Sequence, residues 1–287
     1  MTGIFDSGSG GLSVFREIYR LLPDEEYLFF SDNANCPYGN KPVSFIQNRC
    51  QTITDFLLDK GADIIVVACN TATAAAINVL RERYKIKFIA MEPAVKPAAM
   101  SSVTGVIGIM ATAGTLHGSK YLTTKGRFEK DVMIVESVGD GWVELVENGL
   151  IEGPEVEKAV SASLQPLLKA GADSIVLGCT HYPFLAESIK KIAGPGVRVI
   201  DPAPAVARHL IYVMVQEGLI EEKMATKVLA KTIEMTEAEN NEEDVQKIWP
   251  DTKPNIGLYT SGNPEALKRI FKTIFPDSTN SVNVINI

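Results

Sequence analysis

Histidine is scarce in this chain: His117, His181 and His209 are the only three in 287 residues. No Cys-x-x-Cys pair accompanies them, so the common zinc-ligand spacings are missing and no metal centre is expected. The four cysteines, Cys36, Cys50, Cys69 and Cys179, show no disulfide-framework spacing. A chain of this length does not need staples, which favours a reducing cytoplasm. Apolar stretches long enough to cross a bilayer are absent. The first strand is expected to open at Gly3, leaving no room for a secretory leader. No basic block stands out either. Lys and Arg number 28 against 35 Asp and Glu, the net charge is −7 and the pI about 5.2, so nucleic acid is not expected as a primary partner. The glycine-rich stretch Gly8-Ser9-Gly10-Gly11 lacks the lysine of a P-loop and does not fit the dinucleotide fingerprint, so no nucleotide site is read there. No lysine has a recognisable PLP-anchoring context.

What the chain does have is a repeat. Gly61-Ala62-Asp63-Ile64-Ile65-Val66-Val67-Ala68-Cys69-Asn70-Thr71 returns as Gly171-Ala172-Asp173-Ser174-Ile175-Val176-Leu177-Gly178-Cys179-Thr180-His181, an offset of 179 − 69 = 110 residues. Downstream, Ala90-Met91-Glu92-Pro93-Ala94-Val95 resembles Val199-Ile200-Asp201-Pro202-Ala203-Pro204. Each copy holds an apolar run typical of a strand buried on both faces, with a cysteine at its carboxyl end. Ligands bind at that end of open α/β sheets. Two such units facing one another would set two thiols on opposite sides of one cleft. That layout suits removal of a proton from one face of a carbon and return of a proton to the other.

Strand and helix patterns alternate through most of the chain, which predicts an α/β fold with largely parallel sheets. Strands are expected at 3–5, 27–32, 64–68, 87–90, 103–110, 131–137, 174–177, 197–200 and 255–261. Helices are expected at 12–22, 44–60, 73–84, 119–126, 142–147, 155–170, 184–192, 205–217 and 264–275. Residues 33–41 and 112–115 read as turns. Within 226–252, the acidic run 237–244 reads as a solvated loop or helix extension. The return of the alternation at 255 suggests that the tail rejoins the first domain.

Cys69 is followed by Asn70, Thr71 and a helix. A helix start favours thiolate over thiol. His181, two positions after Cys179, can polarise or protonate that thiol. Asp6-Ser7 ends the first strand and is expected in the same cleft as Cys69, although Asp6 would equally cap the helix that follows. Pro37-Tyr38-Gly39 is either a plain turn or a set of backbone N–H groups aimed at a carboxylate. Cys36 and Cys50 are assigned to structure.

The pieces Phe5-Asp6-Ser7-Gly8-x-Gly10-Gly11, Pro37-Tyr38-Gly39, Ala68-Cys69-Asn70-Thr71-Ala72, Gly114-Thr115 and Gly178-Cys179-Thr180-His181-Tyr182-Pro183 occur in one order. Together they resemble the glutamate racemases of the cofactor-independent aspartate/glutamate racemase superfamily. The likeness runs from Ile4 to about Ile211 and returns at 258–264. It implies PLP-independent interconversion of L- and D-glutamate, supplying D-glutamate for peptidoglycan. Cys69 would take the α-proton from D-glutamate and Cys179 from L-glutamate. Asp6 would support Cys69, and His181 would support Cys179. Ser7, Pro37, Tyr38, Gly39, Asn70, Thr71, Thr115 and Thr180 would hold the substrate's carboxylates and amine. Glu147 falls where the family carries an acidic residue near the cleft.

The expected architecture is two similar three-layer α/β domains with mostly parallel sheets, related by a pseudo-twofold axis, with the site in the interdomain cleft. The first domain takes residues 1–98 plus 209–287 and the second takes 99–208. A homodimer in the cytoplasm, without cofactor, metal or membrane partner, completes the expectation. The neighbouring alternative is an aspartate or other amino-acid racemase of the same superfamily, where an acidic residue often stands in place of His181. A non-catalytic small-anion binding protein is a third reading, but it leaves the paired cysteines without a role.

Overall fold

The computed structural model describes residues 1–223, 250 and 253–287. The acidic run 237–244 lies outside the described residues. The first unit runs β1 (Thr2–Asp6), α1 (Leu12–Leu21), β2 (Glu26–Ser31), α2 (Val43–Asp59), β3 (Ile64–Val67), α3 (Asn70–Arg83) and β4 (Lys87–Ala90). After α4 (Val95–Ser101), the second unit runs β5 (Val106–Ala111), α5 (Ala113–Leu116), α6 (Ser119–Phe128), β6 (Met133–Val138), α7 (Trp142–Glu147), α8 (Pro154–Lys169), β7 (Ser174–Gly178), α9 (Ala186–Ala193) and β8 (Arg198–Ile200). The helix α10 (Ala203–Gln216) leads away, and β9 (Asn255–Thr260), α11 (Pro264–Ile274) and β10 (Val282–Val284) return to the first sheet.

The sequence repeat becomes a repeat of topology. One sheet has the order β10-β9-β2-β1-β3-β4 and the other β6-β5-β7-β8, and all their pairings are parallel. Stripped of β9 and β10, the first sheet reads β2-β1-β3-β4, the same order as the second. The two cysteine strands, β3 and β7, hold equivalent inner positions. In each sheet the chain leaves the inner strand β1 or β5 for one neighbour and then crosses to the other. The carboxyl ends of those strands therefore open at a topological switch point.

Burial explains the strand choices. Every residue of β1, β3 and β7 is buried. Successive side chains serve opposite faces, as the two-residue strand period requires. Ile4 and Val66 join a core with Phe15 and Ile18 of α1, while Phe5, Ile65 and Val67 join another with Ile46, Ile53 and Leu57 of α2. The first of these cores continues into the second unit through Trp142, Leu164 and Leu177. The units are thus packed together rather than hinged apart.

The closing helix α11 shows how local signals set the elements. Asn263 caps it by accepting from the Glu265 N–H at 2.9 Å, and Pro264 occupies the first turn, where its missing N–H costs nothing. Leu267, Ile270 and Phe271 fall on one buried stripe, and the Phe271 ring stacks on Phe15.

The expected boundaries at 98/99 and 208/209 fall inside the continuous helices α4 and α10. Residues 112–115, read as a turn, contain the start of the short helix α5, capped by the Thr112 hydroxyl, which accepts from the Thr115 N–H at 3.3 Å. The helix α4 and the strand β10 were not expected. Both are short and lack a clear apolar period. Among the described residues no helix is long and apolar enough to cross a membrane.

Candidate active site

The carboxyl ends of the two cysteine strands meet at a small cavity between the units. It is lined by Ser7, Pro37, Tyr38, Gly39, Cys69, Asn70, Thr71, Thr112, Val143, Cys179, Thr180 and His181. Ten of these are sequence-predicted site residues. Asp6, Thr115 and Glu147 stand behind the lining, where each touches one of its members.

On the first unit's side, Cys69 is the N-cap of α3. Its Sγ accepts from the Ala72 N–H at 3.4 Å and lies 3.6 Å from the Ser7 hydroxyl, which it faces as donor. Asp6 lies fully buried beneath it. The Asp6 carboxylate accepts from the N–H groups of Gly8 at 3.2 Å and Gly11 at 3.0 Å, so it caps the glycine-rich turn. It also accepts from the Thr180 hydroxyl of the opposite unit at 3.4 Å. Glycine at position 11 is needed because a Cβ there would sit 2.7 Å from that of Asp6.

The electrostatics depart from the sequence expectation for Cys69. Burial and the adjacent Asp6 carboxylate push its thiol well above the usual cysteine value. The helix start and the Ser7 hydroxyl pull the other way but do not win. Burial likewise raises Asp6 above the ordinary carboxylate value, against the pull of His181 and of the Gly11 and Gly8 N–H groups.

On the second unit's side, Cys179 Sγ lies 3.8 Å from His181 Nδ1. The other ring nitrogen, Nε2, donates to Glu147 Oε1 at 2.7 Å. Glu147 is a hub between the units. It also accepts from the Ser9 N–H at 2.6 Å, the Ser9 hydroxyl at 3.1 Å and the Asn33 side-chain amide at 2.8 Å. Burial alone would lower the His181 pKa, but its bonds to Cys179, Cys36 and Glu147 raise it well above the usual imidazole value. Glu147 is held low because the bond and charge of His181, with the Ser9 donors, outweigh burial. These partners favour the protonated imidazole, which is held between a carboxylate and a thiol.

One polar side chain lining the cavity is unspent. Asn70 is 3% exposed, and neither its side-chain oxygen nor its nitrogen has a hydrogen-bond partner among the described residues. A buried amide in that state calls for a polar ligand. Across from it, the hydroxyls of Thr71, Thr112 and Thr115 form a triangle with sides of 2.8, 3.0 and 3.3 Å that joins the units. Tyr38 reaches the cavity while its hydroxyl donates to the buried Asp32 at 2.5 Å.

Four residues of this region were not singled out from sequence as ligands or supports: Ser9, Asn33, Thr112 and Cys36. Ser9 lies inside the glycine-rich turn and Thr112 opens the turn after β5, which are signals that could have found them. Cys36, assigned to structure, lies against Glu147 and His181. Burial pushes its thiol up to about 11.

Residues 7–210 match the family described as Asp/Glu/Hydantoin racemase. Over 223 residues, covering 78% of this chain and 82% of the relative, the sequence is 48% identical to a glutamate racemase from Methylococcus capsulatus. Among solved structures, a glutamate racemase isoform from Bacillus anthracis superposes with a TM-score of 0.80 at 29% identity, covering 100% of this chain and 97% of that one. A glutamate racemase from Escherichia coli, solved with L-glutamate and an activator, gives 0.77 at 28% identity, covering 99% and 97%.

Proposed function

The chain belongs to the Asp/Glu/Hydantoin racemase family, and from that premise we propose that it interconverts L- and D-glutamate by passing protons through two cysteines, with no cofactor. The observation that carries this reading is the pair of thiols. Cys69 and Cys179 close equivalent strands of the duplicated sheets, and both line one cavity.

With L-glutamate bound, the Cys179 thiolate takes the α-proton and the Cys69 thiol gives a proton to the opposite face. The D-enantiomer leaves with Cys179 protonated and Cys69 deprotonated, so the pair must exchange protonation before the next turnover. The two half-sites are tuned for these tasks. Burial and Asp6 keep the proton on Cys69, while His181 Nδ1 stands 3.8 Å from Cys179 Sγ, within reach to exchange a proton with it. Glu147 fixes that ring in place.

The difficult step is loss of a weakly acidic α-proton next to a carboxylate. Without an electron sink, the site must offer oriented donors in a dry cavity. The unspent amide of Asn70, the hydroxyls of Ser7, Thr71 and Thr180, and the Pro37-Tyr38-Gly39 segment hold the substrate's carboxylates and amine. Thr115 acts through Thr71.

The same reading gives residues 1–98 with 209–287 as one domain and 99–208 as the other, a homodimer, and a cytoplasmic role in supplying D-glutamate for peptidoglycan. Sheet membership supports the domain division. Histidine after Cys179-Thr180 and the identity to a glutamate racemase favour glutamate over aspartate. The test is turnover of the purified protein on a panel of L- and D-amino acids without added cofactor, followed by circular dichroism. Glutamate alone is racemised at a useful rate. Faster turnover of aspartate, or a requirement for PLP, would overturn the reading.

A further inference from the structure

Cys36, Glu147 and His181 each offer one ligand atom, and these atoms lie within 4.8 Å of one another. The residues come from three separate places: the loop after β2, the end of α7 and the loop after β7. Cys36 belongs to the first unit and the other two to the second. The imidazole is 2% exposed and the Glu147 side chain 14%. A thiol, an imidazole and a carboxylate are the donor types of a zinc site with three protein ligands and an open fourth position.

A second feature shows that the three donors converge on one point. A Cβ on Gly8 would lie 2.7 Å from Cys36 Sγ and 3.1 Å from His181 Nε2, and would also meet Glu147 Oε1. Any side chain at residue 8 would collide with all three donors, so only glycine fits against the face they share.

We propose that Cys36, Glu147 and His181 form an inhibitory site for a thiophilic divalent cation of the zinc and cadmium class. Binding forms one bond each to sulfur, nitrogen and oxygen. The Cys36 thiol proton and the proton between His181 Nε2 and Glu147 pass to solvent, and no redox change occurs. The ion takes over the nitrogen through which Glu147 holds His181. It also ties the loop after β2 to the second unit, so the cavity cannot open to exchange its contents. The ion is thus an inhibitor and not a cofactor.

The decisive experiment reads binding rather than turnover, which separates it from the proposed racemase activity. Cadmium is titrated into the full chain carrying Cys69→Ser and Cys179→Ser, and the ultraviolet thiolate-to-cadmium charge-transfer band is followed. Cys50 is fully buried in the core beside α2 and offers no competing thiol. One equivalent of cadmium should develop the band. Adding Cys36→Ser should abolish it, and adding His181→Asn should weaken the apparent affinity at least tenfold. No band with Cys36 present, a band that survives Cys36→Ser, or indifference to His181→Asn would each overturn the proposal. In a parallel assay on otherwise unaltered protein, with each variant normalised to its own zinc-free rate, Cys36→Ser raises the half-inhibiting zinc concentration at least tenfold. Unchanged inhibition would assign the ion to Cys69 and Cys179 and would equally refute the site.

Discussion

Arg49→Met tests whether a buried ion pair holds one wall of the cavity. Asp32 is 0% exposed and the Arg49 side chain 14%. The guanidinium donates twice, from Nε at 2.9 Å and Nη2 at 2.7 Å, one bond to each oxygen of the carboxylate. Asp32 also accepts from the Tyr38 hydroxyl at 2.5 Å, the Ser261 hydroxyl at 2.7 Å and the Asn35 amide at 3.1 Å. Removing one partner of a buried pair costs about 3–5 kcal/mol. Three neutral donors remain here, so the expected loss is near the lower end, about 3 kcal/mol. For a chain of this size each kcal/mol lowers Tm by about 2 °C, giving a fall of about 6 °C. Adding Asp32→Asn removes the stranded charge and should return about 1.5 kcal/mol of that loss, a coupling expected of groups in one network. Tyr38 keeps its Asp32 acceptor in Arg49→Met and loses the carboxylate only in the double variant, so KM for glutamate rises chiefly in the double variant. The assays are thermal unfolding by circular dichroism and initial-rate kinetics. A Tm fall under about 2 °C, or a double variant as unstable as the two single losses added together, would refute the reasoning.

The same pair gives a pH prediction. Burial alone would raise the Asp32 pKa, but the bonds from Arg49, Ser261 and Tyr38 more than offset it and hold it below its ordinary value of 3.8. Its contribution to stability is therefore present above about that value and is lost as pH falls through the lower folded value. In Arg49→Met the acid limb of the stability curve moves to higher pH, and an unmoved limb would contradict the assignment. Cys69→Ser and Cys179→Ser should each keep the fold and lower racemisation at least 10²-fold, because a serine hydroxyl is a far weaker acid than a thiol; near wild-type turnover in either would reject the two-base reading. Glu147→Gln removes the negative charge that holds His181 and should cut kcat roughly tenfold or more with a small change in KM, checked by initial rates. Gly10→Ala should act through the same residue. The new Cβ would lie 2.6 Å from Cε1 of His181, so kcat should fall and overpacking should cost about 1–3 kcal/mol of stability, and unaltered kinetics and Tm would show that the ring has room to move.

Much of this arrangement is legible in the sequence because it is local. The apolar runs before Cys69 and Cys179 specify buried strands, and their duplication predicts two similar α/β units, which the structure builds with the orders β2-β1-β3-β4 and β6-β5-β7-β8. The polar residues after each cysteine fall at the strand ends and so reach the cavity. What is not legible depends on contacts between distant segments. Nothing near Cys36 announces that Glu147 and His181 will come to rest beside it, more than 100 positions along the chain. The Cys69 thiol illustrates a different limit. Its position at a helix start is readable, but the degree of burial that reverses the expected shift is set by both units packing over it. Asp6 combines the two open readings of the sequence, since it caps the glycine-rich turn and also lies against the cavity lining.

The central claim is that separate thiols serve the two faces of one carbon. Turnover of L-glutamate in heavy water tests it most directly, with the α-position of both enantiomers followed by NMR or mass spectrometry at early times. The account predicts solvent deuterium at the α-carbon of the D-product while the remaining L-substrate keeps its original hydrogen. D-product that retains the original hydrogen would mean that one group carries the proton across, and would contradict it.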